Sequence, residues 1–113
     1  MLTIYHNPRC RKSRETLQLI EDSGEMLTVV EYLKTVPSAD DLADLIEKLN
    51  IEPQALLRKG EAIYKEQFKG KTLSDEEWIQ AMVDNPKLIE RPIVVRGDKA
   101  IIGRPPEKVK ELL

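Results

Sequence analysis

Residues 2–30 read LTIYHNPRCRKSRETLQLIEDSGEMLTVV. The run Leu2-Thr3-Ile4-Tyr5 is typical of a β-strand and ends at the turn signal Asn7-Pro8. Apolar residues at 17, 19 and 20 predict a helix over about 11–23, and Gly24 is a good helix stop. The apolar run at 27–30 predicts a second strand. A strand, a helix and a strand within thirty residues form a βαβ unit, which favours parallel pairing of the two strands.

The middle of the chain is predicted to be helical. Ser38 is placed to cap a helix whose apolar residues recur at i, i+3, i+4 and i+7, namely Leu42, Leu45, Ile46 and Leu49. Ser74, followed three residues later by Glu77, is a capping box and predicts a second helix that ends at residues 84–86. The segment 53–71 is expected to hold short helices and loops.

The last part of the chain predicts a hairpin and a helix. Two β-branched runs, 93–95 and 100–102, flank a turn at 96–99. Pro105-Pro106 then begins a final helix, with Val109, Leu112 and Leu113 expected to face inward. The predicted fold is α/β, a thioredoxin-like fold with a helical insertion between the βαβ and ββα halves, in one domain over residues 1–113.

Composition excludes several classes of protein. The chain has 113 residues, of which 41% are hydrophobic and 34% charged, so it can bury one core. Its formal net charge of −2 offers no field for nucleic acid or an anionic membrane. No apolar run approaches the roughly 20 residues that span a bilayer, and the N-terminal residues predict no secretory signal. We expect a cytoplasmic monomer that binds neither nucleic acid nor membrane.

Cysteine and histidine are each present once, as Cys10 and His6. An intramolecular disulfide is therefore impossible, and a structural zinc site, which needs about four such ligands, is not expected. Neither a metal nor a bound cofactor is predicted. Any redox chemistry at Cys10 needs a thiol from another molecule.

Cys10 lies where a turn leads into a helix, a position at which backbone N–H groups and the helix dipole favour a thiolate. Four cations occur within five positions of it: Arg9, Arg11, Lys12 and Arg14. Cations at a helix N-terminus oppose the helix dipole and cost stability unless an anion is bound. Their presence here therefore indicates a site for an anion. Ser13 is placed to donate a hydrogen bond to the thiolate, and His6 is near enough to act on it, but ordinary structural roles for both remain open.

Four blocks of sequence resemble the glutaredoxin-linked arsenate reductase family. They are 4–10 with Ser13 and Arg14, 55–59, 89–95 and 103–107, reading IYHNPRC, ALLRK, IERPIVV and GRPPE. They occur in the family's order and extend over essentially the whole chain.

The resemblance implies a role for particular residues. Cys10 would be the nucleophile, and Arg58, Arg91 and Arg104 would bind the oxyanion of arsenate. His6 and Ser13 would tune the cysteine, and Pro92 would be the cis-proline beside a thioredoxin-fold active site. Guanidinium groups bind tetrahedral oxyanions bidentately and stay charged at every relevant pH. Glutathione would be the co-substrate, and glutaredoxin the protein partner.

Positions 11 and 12 depart from the family pattern, which has small residues directly after the cysteine. Arg11 and Lys12 are expected to strengthen anion binding or reshape the pocket, so Arg11 is a candidate substrate-binding residue. Two alternatives stay open: a related thiol reductase whose substrate is not arsenate, and an Spx-like regulator that senses redox state. The regulator uses a C-x-x-C pair, whereas this chain has Ser13 in place of the second cysteine.

Overall fold

A computed structural model describes residues 1–113. The chain forms two compact units, one made of residues 1–35 and 91–113 and the other of residues 36–90. The single domain predicted from the sequence stays a prediction. No helix has both the length and the apolar character needed to cross a membrane.

The first unit is a four-stranded sheet with one long helix. Its elements are β1 (Leu2–His6), α1 (Arg11–Ser23), β2 (Leu27–Glu31), β3 (Ile93–Arg96) and β4 (Lys99–Ile102). The strand order is β2-β1-β3-β4, with β1 and β2 parallel and the other two pairs antiparallel. The predicted βαβ unit and the predicted hairpin are both confirmed.

Apolar side chains on one face of the sheet pack against α1. In β1 burial alternates along the strand, as the period of two requires. The buried cluster consists of Leu2, Ile4, Ile20, Val94, Val109 and Leu112. Helix α1 spans the predicted residues and ends at Gly24, which adopts the left-handed conformation (φ 76°) that glycine accepts without strain.

The C-terminal helix differs from the sequence prediction in two ways. Residues Pro106–Leu112 form a 3₁₀ helix, in which residues three apart lie above one another. Val109 and Leu112 are three apart and are both buried, whereas Leu113 is 42% exposed. The prediction that Leu113 faces inward is therefore wrong, because the tighter winding turns it to solvent.

The second unit is helical. Helices α2 (Ala39–Leu49) and α3 (Asp75–Asp84) pack on each other, with short 3₁₀ helices at Pro53–Leu56 and Pro86–Leu88 and a π-helical turn at Tyr64–Phe68. Ser38 and Ser74 begin the two α-helices with complete capping boxes. Both predicted caps are confirmed. The hydrogen bonds from Ser74 also lower the pKa of the Glu77 carboxyl.

Ser74→Ala tests the capping box of α3. The serine hydroxyl accepts a hydrogen bond from the Glu77 N–H at 3.2 Å. Its removal is expected to lower the free energy of unfolding by about 1 kcal/mol, measured by urea denaturation. Thr72→Ala, at an exposed position before the cap, is the control and should change stability by less than about 0.5 kcal/mol. Equal stability of wild type and Ser74→Ala would show that the cap contributes nothing.

Candidate active site

Cys10 is the N-cap residue of α1 and is 8% exposed. The turn that leads to it is held by two hydrogen bonds: the Cys10 N–H donates to the Asn7 carbonyl at 3.0 Å, and the Arg9 N–H donates to Asn7 Oδ1 at 3.0 Å. The Asn7-Pro8 turn therefore fixes the cysteine at the start of the helix.

Strand pairing brings three chain segments to the same end of the sheet. Tyr5 near the end of β1 pairs with Ile93 at the start of β3, and Ile93 pairs with Ile102 at the end of β4. It follows that three segments lie close together: the residues after β1, those before β3 and those after β4. This register collects Cys10, Arg91 and Arg104, which are separated in the sequence.

Arg104 makes direct contact with the cysteine. Its Nη1 lies 3.9 Å from Cys10 Sγ and donates to the Arg91 carbonyl at 3.3 Å. A positive charge at this distance stabilises a negative charge on the sulfur.

The Arg91–Pro92 bond is cis, and so is the Arg104–Pro105 bond, for which the sequence carried no signal.

Gly103 makes the approach of Arg104 possible. A Cβ on Gly103 would lie 2.7 Å from Thr16 Oγ1 and 2.9 Å from Pro92 Cγ. Both neighbours are buried, Thr16 on α1 and Pro92 before β3. Gly103 also donates from its N–H to the Pro92 carbonyl at 2.9 Å. Sequence reasoning assigned no role to Gly103 or Thr16, because only the packing shows how closely they approach.

A cavity of about 500 Å³ opens beside Cys10. The residues that line it are Arg9, Cys10, Arg11, Lys12, Glu15, Arg91 and Arg104. Arg11 Nε donates to Glu15 Oε1 at 2.9 Å, an i,i+4 ion pair on the exposed face of α1. Arg14 does not line the cavity, and its Nη1 donates to the Pro8 carbonyl at 2.9 Å.

His6 and Ser13 bind each other. His6 Nδ1 lies 2.6 Å from Ser13 Oγ, which also accepts the Asn7 N–H at 3.1 Å. The expected hydrogen bond from Ser13 to Cys10 is not observed, since the hydroxyl has a single proton and His6 Nδ1 is close enough to accept it. The pair therefore helps to hold the turn before Cys10. That His6 and Ser13 tune the thiol stays a prediction.

Burial lowers the pKa of His6 below its ordinary value near 6.5. The Glu31 carboxylate raises it, Arg14 lowers it, and Glu21 raises it by less. Since burial dominates, the neutral imidazole is favoured, and neutral Nδ1 can accept the Ser13 proton.

Arg58 belongs to the second unit. Its Nη1 donates to Glu61 Oε2 at 2.9 Å, and its Nε lies 3.7 Å from Glu90 Oε1. Its backbone is held by pairing of residues 56–58 with 88–90, in which the Arg58 N–H donates to the Leu88 carbonyl at 2.7 Å. The sequence did not predict the two carboxylates. The role of Arg58 in anion binding stays a prediction.

Comparison with known proteins identifies the family. Residues 5–112 match the sequence model described as the ArsC family. The chain belongs to the ArsC family. A protein of Haemophilus influenzae named arsenate reductase is 44% identical to this ArsC-family chain, over 97% of each sequence. An Escherichia coli protein named uncharacterized protein YfgD is 54% identical over 97% of this chain and 94% of its own length.

A solved structure titled arsenate reductase from Vibrio cholerae has the same fold as this ArsC-family protein. The two are 49% identical, with a TM-score of 0.95 over 99% of this chain and 97% of that one. The thioredoxin-like α/β fold predicted from the sequence, and the family resemblance, are both confirmed.

Gly103→Ala tests whether close packing positions Arg104. The added methyl group collides with Thr16 and Pro92, so we expect it to displace Arg104 and slow alkylation of Cys10 by iodoacetamide several-fold. Thr16→Ala removes one of the two obstacles, so the double variant Thr16→Ala/Gly103→Ala should recover part of the rate. If Gly103→Ala reacts like wild type, the close approach does not position Arg104.

The lowered pKa of His6 predicts a pH-dependent stability. Between the folded pKa and about 6.5, the unfolded chain binds more protons at His6 than the folded chain does. The free energy of unfolding should therefore fall as the pH falls through this window. His6→Asn should lose this part of the dependence, measured as the change in urea midpoint between about pH 7.5 and about pH 5.5. The same change in both proteins would contradict the assignment to His6.

Proposed function

We propose that this protein is an arsenate reductase in which Cys10 is the nucleophile and glutathione and glutaredoxin are the external reductants. The contact of Arg104 with Cys10 Sγ, inside a cavity lined by cations, is the observation that carries this proposal. The names of its relatives from H. influenzae and V. cholerae support it.

The proposed reaction begins with attack of the Cys10 thiolate on arsenic. An As–S bond forms, and one arsenate oxygen leaves as water after it takes up protons. Arsenic is still As(V) at this stage. The glutathione thiol then bonds to arsenic, and a second oxygen leaves as water. The glutaredoxin thiol attacks the glutathione sulfur, and the As–S bond to glutathione breaks with its electron pair left on arsenic. Two external thiols are thereby oxidised to one disulfide while As(V) becomes As(III). Water then adds to As(III), the As–S bond to Cys10 breaks, and arsenite leaves while a proton from that water regenerates the Cys10 thiol.

Arg104 and Arg91 are both placed to bind the substrate in this scheme. Arg104 contacts the sulfur and is placed to bind an oxyanion that the sulfur attacks, as preorganised donors do for developing charge. Arg91 lines the same cavity, and its carbonyl accepts from Arg104. We propose that both guanidinium groups bind arsenate oxygens, and that Arg58, which the resemblance implies, is a third.

The single cysteine supports external reductants, and the family resemblance implies that these are glutathione and glutaredoxin. The chain has one thiol, so every disulfide in the cycle must involve another molecule. A cytoplasm kept reducing by glutathione supplies that thiol. We also propose that the protein acts there as a monomer, without a bound cofactor.

A related thiol reductase with another substrate is the second candidate. It is favoured by Arg11 and Lys12, which line the cavity where the best-known arsenate reductases resembling this chain have small residues. A regulator that switches through a C-x-x-C disulfide is disfavoured, because the second position is Ser13 and its hydroxyl is bonded to His6.

A coupled assay with arsenate, glutathione, glutaredoxin and NADPH separates the two reductases. The proposal predicts NADPH oxidation that depends on arsenate and disappears in Cys10→Ser. If the folded wild-type protein gives no arsenate-dependent oxidation, arsenate is not its substrate and the second candidate is favoured.

Arg104→Ala tests the anion site. A hydrogen bond to a charged group contributes about 1.5–3 kcal/mol, and about 1.4 kcal/mol corresponds to a factor of ten. Arsenate turnover should therefore fall about ten- to a hundredfold. Arg104→Lys should recover only part of it, because an ammonium group restores the charge but not the planar fork. Lys99→Ala, which removes an exposed charge at the start of β4, is the control. Wild-type turnover in Arg104→Ala would contradict the proposed role.

A further inference from the structure

The cavity beside Cys10 carries more positive charge than one oxyanion can balance. Arg9, Arg11, Lys12, Arg91 and Arg104 contribute five cations to its lining, against the single carboxylate of Glu15. The whole chain, by contrast, has a net charge of −2. Arg9, Arg11 and Lys12 lie at the N-terminus of α1 and oppose its dipole, and the first turn of this helix holds no acidic residue to offset them.

We propose that three of these cations, Arg9, Arg11 and Lys12, form a binding site for the carboxylates of the thiol that reduces the enzyme. We call them the basic rim. The proposal rests on the proposed function, since it assigns a site to the reductant of that reaction. The chemical class of the ligand is a small thiol that carries two or more carboxylates.

The size of the cavity supports a second ligand. A tetrahedral oxyanion occupies on the order of 100 Å³, a few times the roughly 30 Å³ share of a water molecule. The cavity measures about 500 Å³, within the range of about 300–1,000 Å³ typical of sites for larger small molecules. Room for a peptide-sized thiol therefore remains beside an oxyanion bound at Arg104.

Access to the sulfur supports the same conclusion. Cys10 is 8% exposed, and it is the only cysteine. The reducing thiol must therefore reach an arsenic adduct on a sulfur that is almost covered, and the residues around that sulfur decide which thiols approach. All three members of the basic rim are exposed, so they meet the incoming thiol at the entrance, where opposite charges raise its local concentration.

Arg11 keeps hydrogen-bond donors available for this contact. Its Nε is used by Glu15 at 2.9 Å, and neither Nη atom hydrogen-bonds another residue of the chain. Its side chain is 85% exposed. The ion pair with Glu15 uses Nε, so the two Nη donors stay available for a carboxylate, which arginine can bind through two parallel hydrogen bonds.

Thiol exchange on a preformed mixed disulfide tests the basic rim without arsenate. Cys10 is first converted with 2,2′-dithiodipyridine into an S-pyridyl disulfide, whose leaving group is uncharged. An added thiolate attacks Cys10 Sγ, forms a new S–S bond and breaks the old one, and pyridine-2-thione leaves with the proton. Its absorbance gives the rate constant of each thiol.

The readout is the ratio of the rate constant for glutathione, which has two carboxylates, to that for uncharged 2-mercaptoethanol. Arg11→Gln/Lys12→Gln should lower this ratio about fivefold, because two exposed charge contacts are lost. Added salt should lower the ratio of the wild type more than that of the variant. Lys99→Gln/Lys110→Gln removes two exposed charges of the same unit and should keep the wild-type ratio.

The result also separates this proposal from the proposed function. If the variant loses selectivity while the wild type gives no arsenate-dependent oxidation, the basic rim binds acidic thiols and only the choice of arsenate is wrong. A ratio unchanged by Arg11→Gln/Lys12→Gln overturns the basic rim, even if arsenate is reduced normally. An equal fall in the control variant would also overturn it, since the effect would then come from overall charge.

Discussion

The contact between Arg104 Nη1 and Cys10 Sγ joins residues 94 positions apart in the chain, and the rest of the candidate site depends on it. It requires the start of α1 and the segment after β4 to meet within the length of one arginine side chain. Gly103 permits this meeting, because any side chain there would collide with Thr16 and Pro92. Close packing of the backbone at Gly103 therefore places the positive charge of Arg104 beside the sulfur.

The sheet explains why these segments meet. In a parallel β1–β2 pair the connecting helix starts at the end of β1, and the antiparallel β3 and β4 bring their own start and end to that same edge. One end of the first unit therefore holds the N-terminus of α1, Arg91 and Arg104, and the prolines that follow these two arginines in cis. The ends of the strands and the start of a helix are positions that supply a scaffold for binding an anion.

Local signals predicted most of the fold, and long-range packing accounts for what they missed. Gly24 and the two capping boxes fixed helix ends because a few neighbouring residues determine them. The 3₁₀ winding of the last helix and the exposure of Leu113 depend on packing against the sheet, which periodicity does not encode. Long-range packing also accounts for what the sequence did not predict at the site. The family blocks indicated Cys10 and Arg104. The hydrogen bond between Ser13 and His6 and the close contact at Gly103 arise only in the folded chain.

We propose that the Arg104 guanidinium makes Cys10 a nucleophile. The most direct test is the rate of Cys10 alkylation by iodoacetamide at about pH 7, a small uncharged probe that needs no anion site. We expect Arg104→Gln to react several-fold more slowly than wild type, and Lys99→Gln to react at the wild-type rate. Equal rates for Arg104→Gln and wild type, with both proteins folded, would contradict it.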